Sequence, residues 1–230
     1  MPTTYTVEWD KTGEHFYETG VDHGVLYKYV EADPEVSGDK AGFKNGVAWN
    51  GLTAVNESPS GAEPTALWAD NIKYLNLISA EEYAATVEAY TYPDEFEECD
   101  GSRAIVPGVY AGQQPRALFG LCYRTLTGSD TSPAGVDPED YKLHLVYNCT
   151  ASPSERAHST VNDSPEAATL SWEISTTPVE VPNMKPTASI TIDAKKAGKT
   201  KMDALLAILY GDGTTQPRLP YPTELATIMA

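Results

Sequence analysis

The feature that most constrains this chain is a period of two. In Leu170-Ser171-Trp172-Glu173-Ile174 and in Tyr141-Lys142-Leu143-His144-Leu145-Val146-Tyr147, apolar side chains recur at every second residue. Only a strand places residues i, i+2 and i+4 on one face, so such a segment buries one side and leaves the other to polar contacts. The same alternation runs through Ala188, Ile190 and Ile192, and through Phe119, Leu121 and Tyr123 within 118–126. Residues 5–9 and 24–30 also read as strands, with a turn at 10–13 after the first. A mainly β fold follows.

One segment is apolar in both phases. Leu67, Ala69, Leu75 and Leu77 fall on one face, and Trp68, Ile72, Tyr74 and Ile78 fall on the other. After a turn at 55–59, a single long strand is expected at 67–78, central and covered on both sides. Residues 79–93 open like a helix, with Ser79-Ala80-Glu81-Glu82 in capping-box form. Ala85, Val87 and Ala89 then alternate with Thr86, Glu88 and Tyr90, which favours a brief turn and a strand. Two polar stretches rich in Gly, Pro and acids, 31–46 and 127–140, are expected as long loops with a contact role.

The period changes near the end. Met202, Leu205, Leu206 and Leu209 are spaced i, i+3, i+4 and i+7, Thr200-Lys201-Met202-Asp203 has capping-box form, and Gly211 supplies a stop. An amphipathic helix is expected there, then an extended arm set by Pro217, Pro220 and Pro222, then an apolar tail of Leu225, Ile228 and Met229. The tail either folds back on its own domain or docks on a neighbour. The organisation is a β domain over 1–199 followed by a helix and Pro-rich arm over 200–230.

With 41% hydrophobic residues the chain can bury a core, yet no run approaches the roughly 18 apolar residues of a membrane span. The start lacks the basic and apolar regions of a secretory signal, so synthesis and assembly in a cytoplasm are expected. Cys99, Cys122 and Cys149 are three in number with no C-x-x-C, which points to buried or free thiols. Net charge is −17 and uneven: residues 1–100 hold 20 acids against 5 Lys/Arg, and 101–230 hold 13 against 11. Such a balance opposes tight nucleic-acid binding, because carboxylates repel phosphates. Within 185–201, Lys185, Lys195, Lys196, Lys199 and Lys201 stand against Asp193 alone. This is either a solvated face or a basic patch that meets acidic surface in an assembly. On the second reading, Lys195, Lys196, Lys199 and Lys201, with Leu225 and Ile228 of the tail, are the candidate subunit-interface residues.

Motifs that carry chemistry are missing. There is no G-x-S-x-G, H-E-x-x-H, P-loop or G-x-G-x-x-G. His15, His23, His144 and His158 read as surface or turn histidines, with His144 on the polar face of its strand. The acids Asp94, Glu95, Glu97, Glu98 and Asp100 lack the spacing of a calcium loop and read as a solvated turn. No catalytic, cofactor or metal residue is assigned, and an enzyme is not expected. Residues 55–59 and 161–165 echo each other, either by chance turn chemistry or as equivalent turn–strand units.

Several stretches, in order along the chain, resemble the major tail (tail tube) proteins of siphophages and prophages of Gram-positive hosts. They are Tyr17-Glu18-Thr19-Gly20-Val21-Asp22-His23-Gly24-Val25-Leu26-Tyr27, Gly46-Val47-Ala48-Trp49-Asn50-Gly51-Leu52, Ala69-Asp70-Asn71-Ile72-Lys73-Tyr74-Leu75 and Glu88-Ala89-Tyr90-Thr91-Tyr92-Pro93. Phe119-Gly120-Leu121-Cys122-Tyr123-Arg124 and Trp172-Glu173-Ile174-Ser175-Thr176-Thr177-Pro178-Val179 continue the set. The resemblance implies a β-sandwich or half-barrel with a flanking helix, arranged as hexameric rings that stack into a DNA-conducting tube in a virion tail. Its implied partners are further copies of itself, the tape measure protein, and the tail terminator and distal tail proteins. DNA would pass without sequence-specific binding, no membrane is involved, and no cofactor is implied. The competing readings are a virion decoration or receptor-binding β-module, and the inner tube of a contractile injection system.

Overall fold

The computed structural model describes residues 7, 9–34, 40–158, 160 and 167–230. The first part holds strands β1 (Phe16–Val30), β2 (Gly42–Trp49), β3 (Leu52–Glu57), β4 (Ser60–Gly61), β5 (Pro64–Ala69), β6 (Ile72–Ile78), β7 (Glu81–Glu82) and β8 (Ala84–Ala89). A turn of 3-10 helix at Asp94–Phe96 leads into α1 (Glu97–Asp100), followed by β9 (Arg103–Val106), β10 (Val109–Ala111), β11 (Phe119–Ser129) and β12 (Tyr141–Ala151). The last part holds β13 (Leu170–Thr176), β14 (Ser189–Asp193), α2 (Ala194–Ala197), α3 (Lys199–Tyr210), β15 (Arg218–Leu219) and α4 (Pro222–Ile228). The mainly β expectation agrees with this.

The main sheet is antiparallel and runs β15-β2-β1-β11-β12-β13-β8-β3 among the described residues. β12 divides its outer edge: residues 142–146 pair with β14, and 149–151 pair with β13. Both faces of β1, β11 and β12 are covered. On one face Val25, Tyr27, Cys122, Leu143 and Leu145 pack with Met202, Leu205, Leu209 and Leu225 of the helices. On the other, Leu26, Phe119, Leu121 and Tyr123 meet Trp172, Ile174, Val87 and Ala89 of the β13–β8 layer. Trp172 lies edge-on to Trp49 and Phe96 there, with ring centroids 5.6 and 5.2 Å apart. A fully buried Leu or Phe in either layer contributes about 1.5–3 kcal/mol of transfer free energy.

A bulge in β12 decides which layer its two halves join. Phe119 pairs with Cys149 and Leu121 with Val146, so β12 spends one residue more than β11. Asn148, at φ 48°, lies inside this step and is of a residue type that tolerates the left-handed region. Before the bulge, odd-numbered residues face the helices; after it, Cys149 and Ala151 face the β13–β8 layer.

Several expectations need correction. Residues 42–46 open β2 and 127–129 close β11, so both loops are shorter than the polar composition suggests. Of the turn expected at 55–59, residues 55–57 instead end β3. The helix begins after Gly198, with Thr200 inside it, and no side chain caps it. The short α2 precedes it, capped by Asp193 Oδ1, which accepts from the Lys196 amide at 3.1 Å. Of the expected strand at 5–9, Val7 and Trp9 are not in strand, and the rest lies outside the described residues. The second copy of the echo, 161–165, also lies outside them.

The tail takes the first of its two alternatives and folds back. Leu219 pairs with Phe43 of β2, Tyr147 Oη donates to Pro220 O at 3.0 Å, and Leu225 is buried in the helix-side core. The three cysteines are free and buried, and burial pushes the Cys99 thiol up to about 12. The acidic stretch at 94–100 is a turn tethered at some of its acids, with Asp94, Glu95 and Glu98 exposed as expected of a solvated one. Phe96 and Cys99 point into the core, Glu98 accepts from Lys28 at 2.6 Å, and Asp100 pairs with Arg116 and Arg156.

The largest departure is at 67–78. The segment is not a central strand: Asp70 and Asn71 break it into a hairpin that stands away from the sheet.

Candidate assembly surface

Asp70 and Asn71 both have positive φ, 51° and 63°, which is the two-residue turn whose twist suits a hairpin. Aspartate and asparagine enter that region at low cost, and their adjacency in an apolar run was the available signal for a turn. On either side, Leu67 pairs with Leu75, Thr65 with Leu77, and Pro64 with Ile78. At the base, Ser60 pairs with Glu82 and Gly61 with Glu81. A side chain at Gly61 (φ 85°) would put its Cβ 2.4 Å from Ala80 O, so the close approach of the two strands there depends on glycine. Each strand of the outer ribbon extends about 20 Å.

This arm is apolar on both faces and uncovered. Leu67, Leu75 and Leu77 lie exposed on one face; Trp68 (69% exposed) and Ile78 (68%) lie on the other. β5 and β6 make extended contact with each other and with no other element. The exposed apolar area is on the order of several hundred Å², at the upper end of what monomers tolerate. A two-stranded ribbon is marginal by itself in water, so its order depends on what holds it. The second small hairpin, β9–β10, also exposes Ile105, Val106, Val109 and Tyr110 around a Pro107-Gly108 turn.

A polar cluster clasps the arm's root. Glu57 ends β3 and Tyr83 precedes β8, and between them lies Tyr123 of β11, whose hydroxyl donates to Glu57 Oε1 at 2.5 Å. His144 of β12 stacks on Tyr123 with centroids 4.6 Å apart and planes 4° apart. Its Nε2 lies 2.9 Å from Thr125 Oγ1 and 3.5 Å from Glu18 Oε1. Its Nδ1 lies 3.3 Å from Thr191 Oγ1 and 3.7 Å from Glu57 Oε1. The expected surface histidine is therefore an enclosed one, 12% exposed in its side chain. Burial lowers its pKa, outweighing the two carboxylates that favour the imidazolium. Burial raises Glu18, but hydrogen bonds from Lys142 and Thr125 outweigh it and hold the carboxyl below its usual range. Sequence did not flag this cluster, because its members come from five strands and from the residue that precedes β8.

The residues expected at a subunit interface are dispersed. Lys195 Nζ lies 3.1 Å from buried Asp140, Lys196 pairs with Asp193 at 3.3 Å, and Lys199 with Asp203 at 3.2 Å. Lys201 donates to Met229 O at 2.8 Å. The first three stay largely exposed while bound to acids of their own chain. Leu225 is buried in the core, and Ile228 packs against it, half-buried.

Among the described residues, no group of three or more His, Cys, Asp or Glu is placed to hold a metal ion. No helix among the described residues is long and apolar enough to cross a membrane. No protein-family model matches the chain, and no curated protein matches it. Among solved structures, the chain is similar to one in the cryo-EM structure of the anti-feeding prophage (AFP) baseplate, 6-fold symmetrised. Identity is 6% and the TM-score 0.36, over 82% of this chain and 99% of that one. A likeness at that level carries no argument.

Proposed function

We propose that this chain is a non-catalytic structural subunit of a phage tail tube, closing laterally into rings that stack into a conduit for DNA. The observation that carries the reading is the arm: a ribbon apolar on both faces, with no cover among the described residues. An exposed apolar surface of this kind marks a site where another molecule binds. The arm and whatever receives it are different patches of one chain, so the contact is heterologous and builds rings or filaments rather than closed pairs. The ordered family-like stretches add the particular assembly, hexameric rings of a virion tail with tape measure, terminator and distal tail proteins as partners. The net charge of −17 suits a lumen through which DNA slides without adhering.

Negative-stain microscopy of the concentrated protein tests this directly. Rings or tubes are expected from the wild type, and dispersed single subunits from Trp68→Glu combined with Leu77→Glu. A wild type that stays monomeric at high concentration overturns the proposal. Normal tubes from the variant would remove the arm from the assembly.

A further inference from the structure

The arm does not carry its charge evenly. At the tip Asp70 is balanced by Lys73, whereas Glu63, Glu81 and Glu82 sit together near the base, beside exposed Leu77 and Ile78. The lower half of the arm is thus an acidic, apolar ribbon. In a chain of 33 acids and 16 Lys/Arg, most of the surface repels such a ribbon. A receiving surface on a second copy has to be cationic outside and apolar enough to cover leucine or isoleucine.

Among the described residues, one cleft combines outward-facing lysines with exposed rings. This cleft of about 450 Å³ lies among the start of β1, the end of β11, the start of β12 and α2. Lys142, Lys195 and Lys196 line it, and each has an acidic partner in the same chain. Two of these pairs are layered, however. Asp140 is 7% exposed against 64% for Lys195, and Asp193 is 30% exposed against 85% for Lys196. The ammonium groups of Lys195 and Lys196 therefore face outward with their carboxylates beneath them, whereas Lys142 and Glu18, which also lines the cleft, are equally exposed. An ammonium has three donors, so Lys195 can keep Asp140 and still meet a second carboxylate. Phe16 and Tyr17 form the rim with their rings exposed.

Resting on the reading of the chain as a tube subunit, we propose that this cleft receives the lower half of the arm of a second copy. Glu63, Glu81 and Glu82 then face Lys195 and Lys196, while Ile78 and not Leu77 lies against Phe16 and Tyr17. One cleft covers one face of the ribbon. The other face is left for a further subunit, as an assembly that grows in two directions requires.

Charge reversal with rescue tests the pairing. Lys195→Glu with Lys196→Glu is expected to slow assembly at low salt on the order of tenfold, from exposed pairs worth up to about 1 kcal/mol each. Adding Glu81→Lys and Glu82→Lys to the same chain is expected to restore most of the rate. An unchanged rate in the first variant, or no rescue in the second while both melt like wild type, overturns the docking and leaves the tube reading intact. A second measurement does not require tubes. Phe16→Cys with Ile78→Cys, oxidised at high concentration, is expected to give a ladder of disulfide-linked multimers, since the natural cysteines are buried. A ladder without tubes would keep the docking and remove the tube reading; absence of the ladder overturns the docking.

Discussion

β12 and the β5–β6 ribbon are both apolar on two faces, yet one is the most enclosed strand of the molecule and the other among the most exposed. In β12, Leu143 and Leu145 face the helices, and Val146, Cys149 and Ala151 face the β13–β8 layer. In the ribbon, Leu67, Leu75 and Leu77 face one way and Trp68 and Ile78 the other, with solvent on both sides. The residue types are alike. The difference lies in where the covers come from: β12 finds both within its own chain, and the arm finds neither. Apolar pattern therefore reports that a surface will be buried, and says nothing about which molecule buries it.

The comparison breaks most visibly if a cover is removed from the core. Deleting 216–230 takes away Leu219 and Leu225, both buried, together with Tyr221, which packs against Phe43 and Tyr147. The loss is expected to exceed about 5 kcal/mol, comparable to the whole stability of many domains. The truncated chain should show no cooperative melting transition. A truncated chain that melts like the full one would mean that the tail is not part of the core.

A matched pair of leucines sharpens the contrast. Leu145→Ala, fully buried, is expected to cost about 2–5 kcal/mol and lower Tm by roughly 5–15 °C. Leu75→Ala in the arm is expected to leave the subunit's stability within about 0.5 kcal/mol while weakening assembly. Calorimetry and light scattering on the two variants separate these effects. Equal losses of Tm would show that the arm is covered within its own chain.

The smallest expected effect lies where the two regions join. His144 faces Glu18 of β1, Glu57 of β3, Tyr123 of β11, Thr191 of β14 and Lys142 on its own strand. Its folded-state pKa lies below the ~6.5 of a free imidazole, so the unfolded chain takes up the proton first as pH falls. The contribution is whole above about pH 6.5 and fades below it, toward the lowered folded value. Tm should therefore fall more steeply from pH 7 to 5 in the wild type than in His144→Gln. Parallel curves would mean that the ring titrates as freely in the fold as outside it.

How much was legible in the sequence follows the range of the interaction. Alternation placed β8, β11, β12, β13 and β14 and named one inward face of each, because side-chain direction along a strand depends only on the residue and its neighbours, but it missed that β11 and β12 bury both. The helical period located α3 for the same reason, although its capping box did not form once α2 had taken the preceding residues. The exposed arm was read as an apolar segment but as one continuous strand, so the turn at Asp70-Asn71 was missed along with the exposure. Burial depends on elements distant in sequence, and none of them reaches 64–78. The His144 cluster was not readable at all, since it exists only where β1, β3, β11, β12 and β14 meet. Likewise the lysines at 195–201 were visible as a basic run, while the layering of Lys195 over Asp140 and Lys196 over Asp193 had to await the fold. The sequence by itself determined the period, the turns and the uneven charge. Only the tertiary structure decided which apolar face was left uncovered, because packing is a property of surfaces that the chain brings together over long distances.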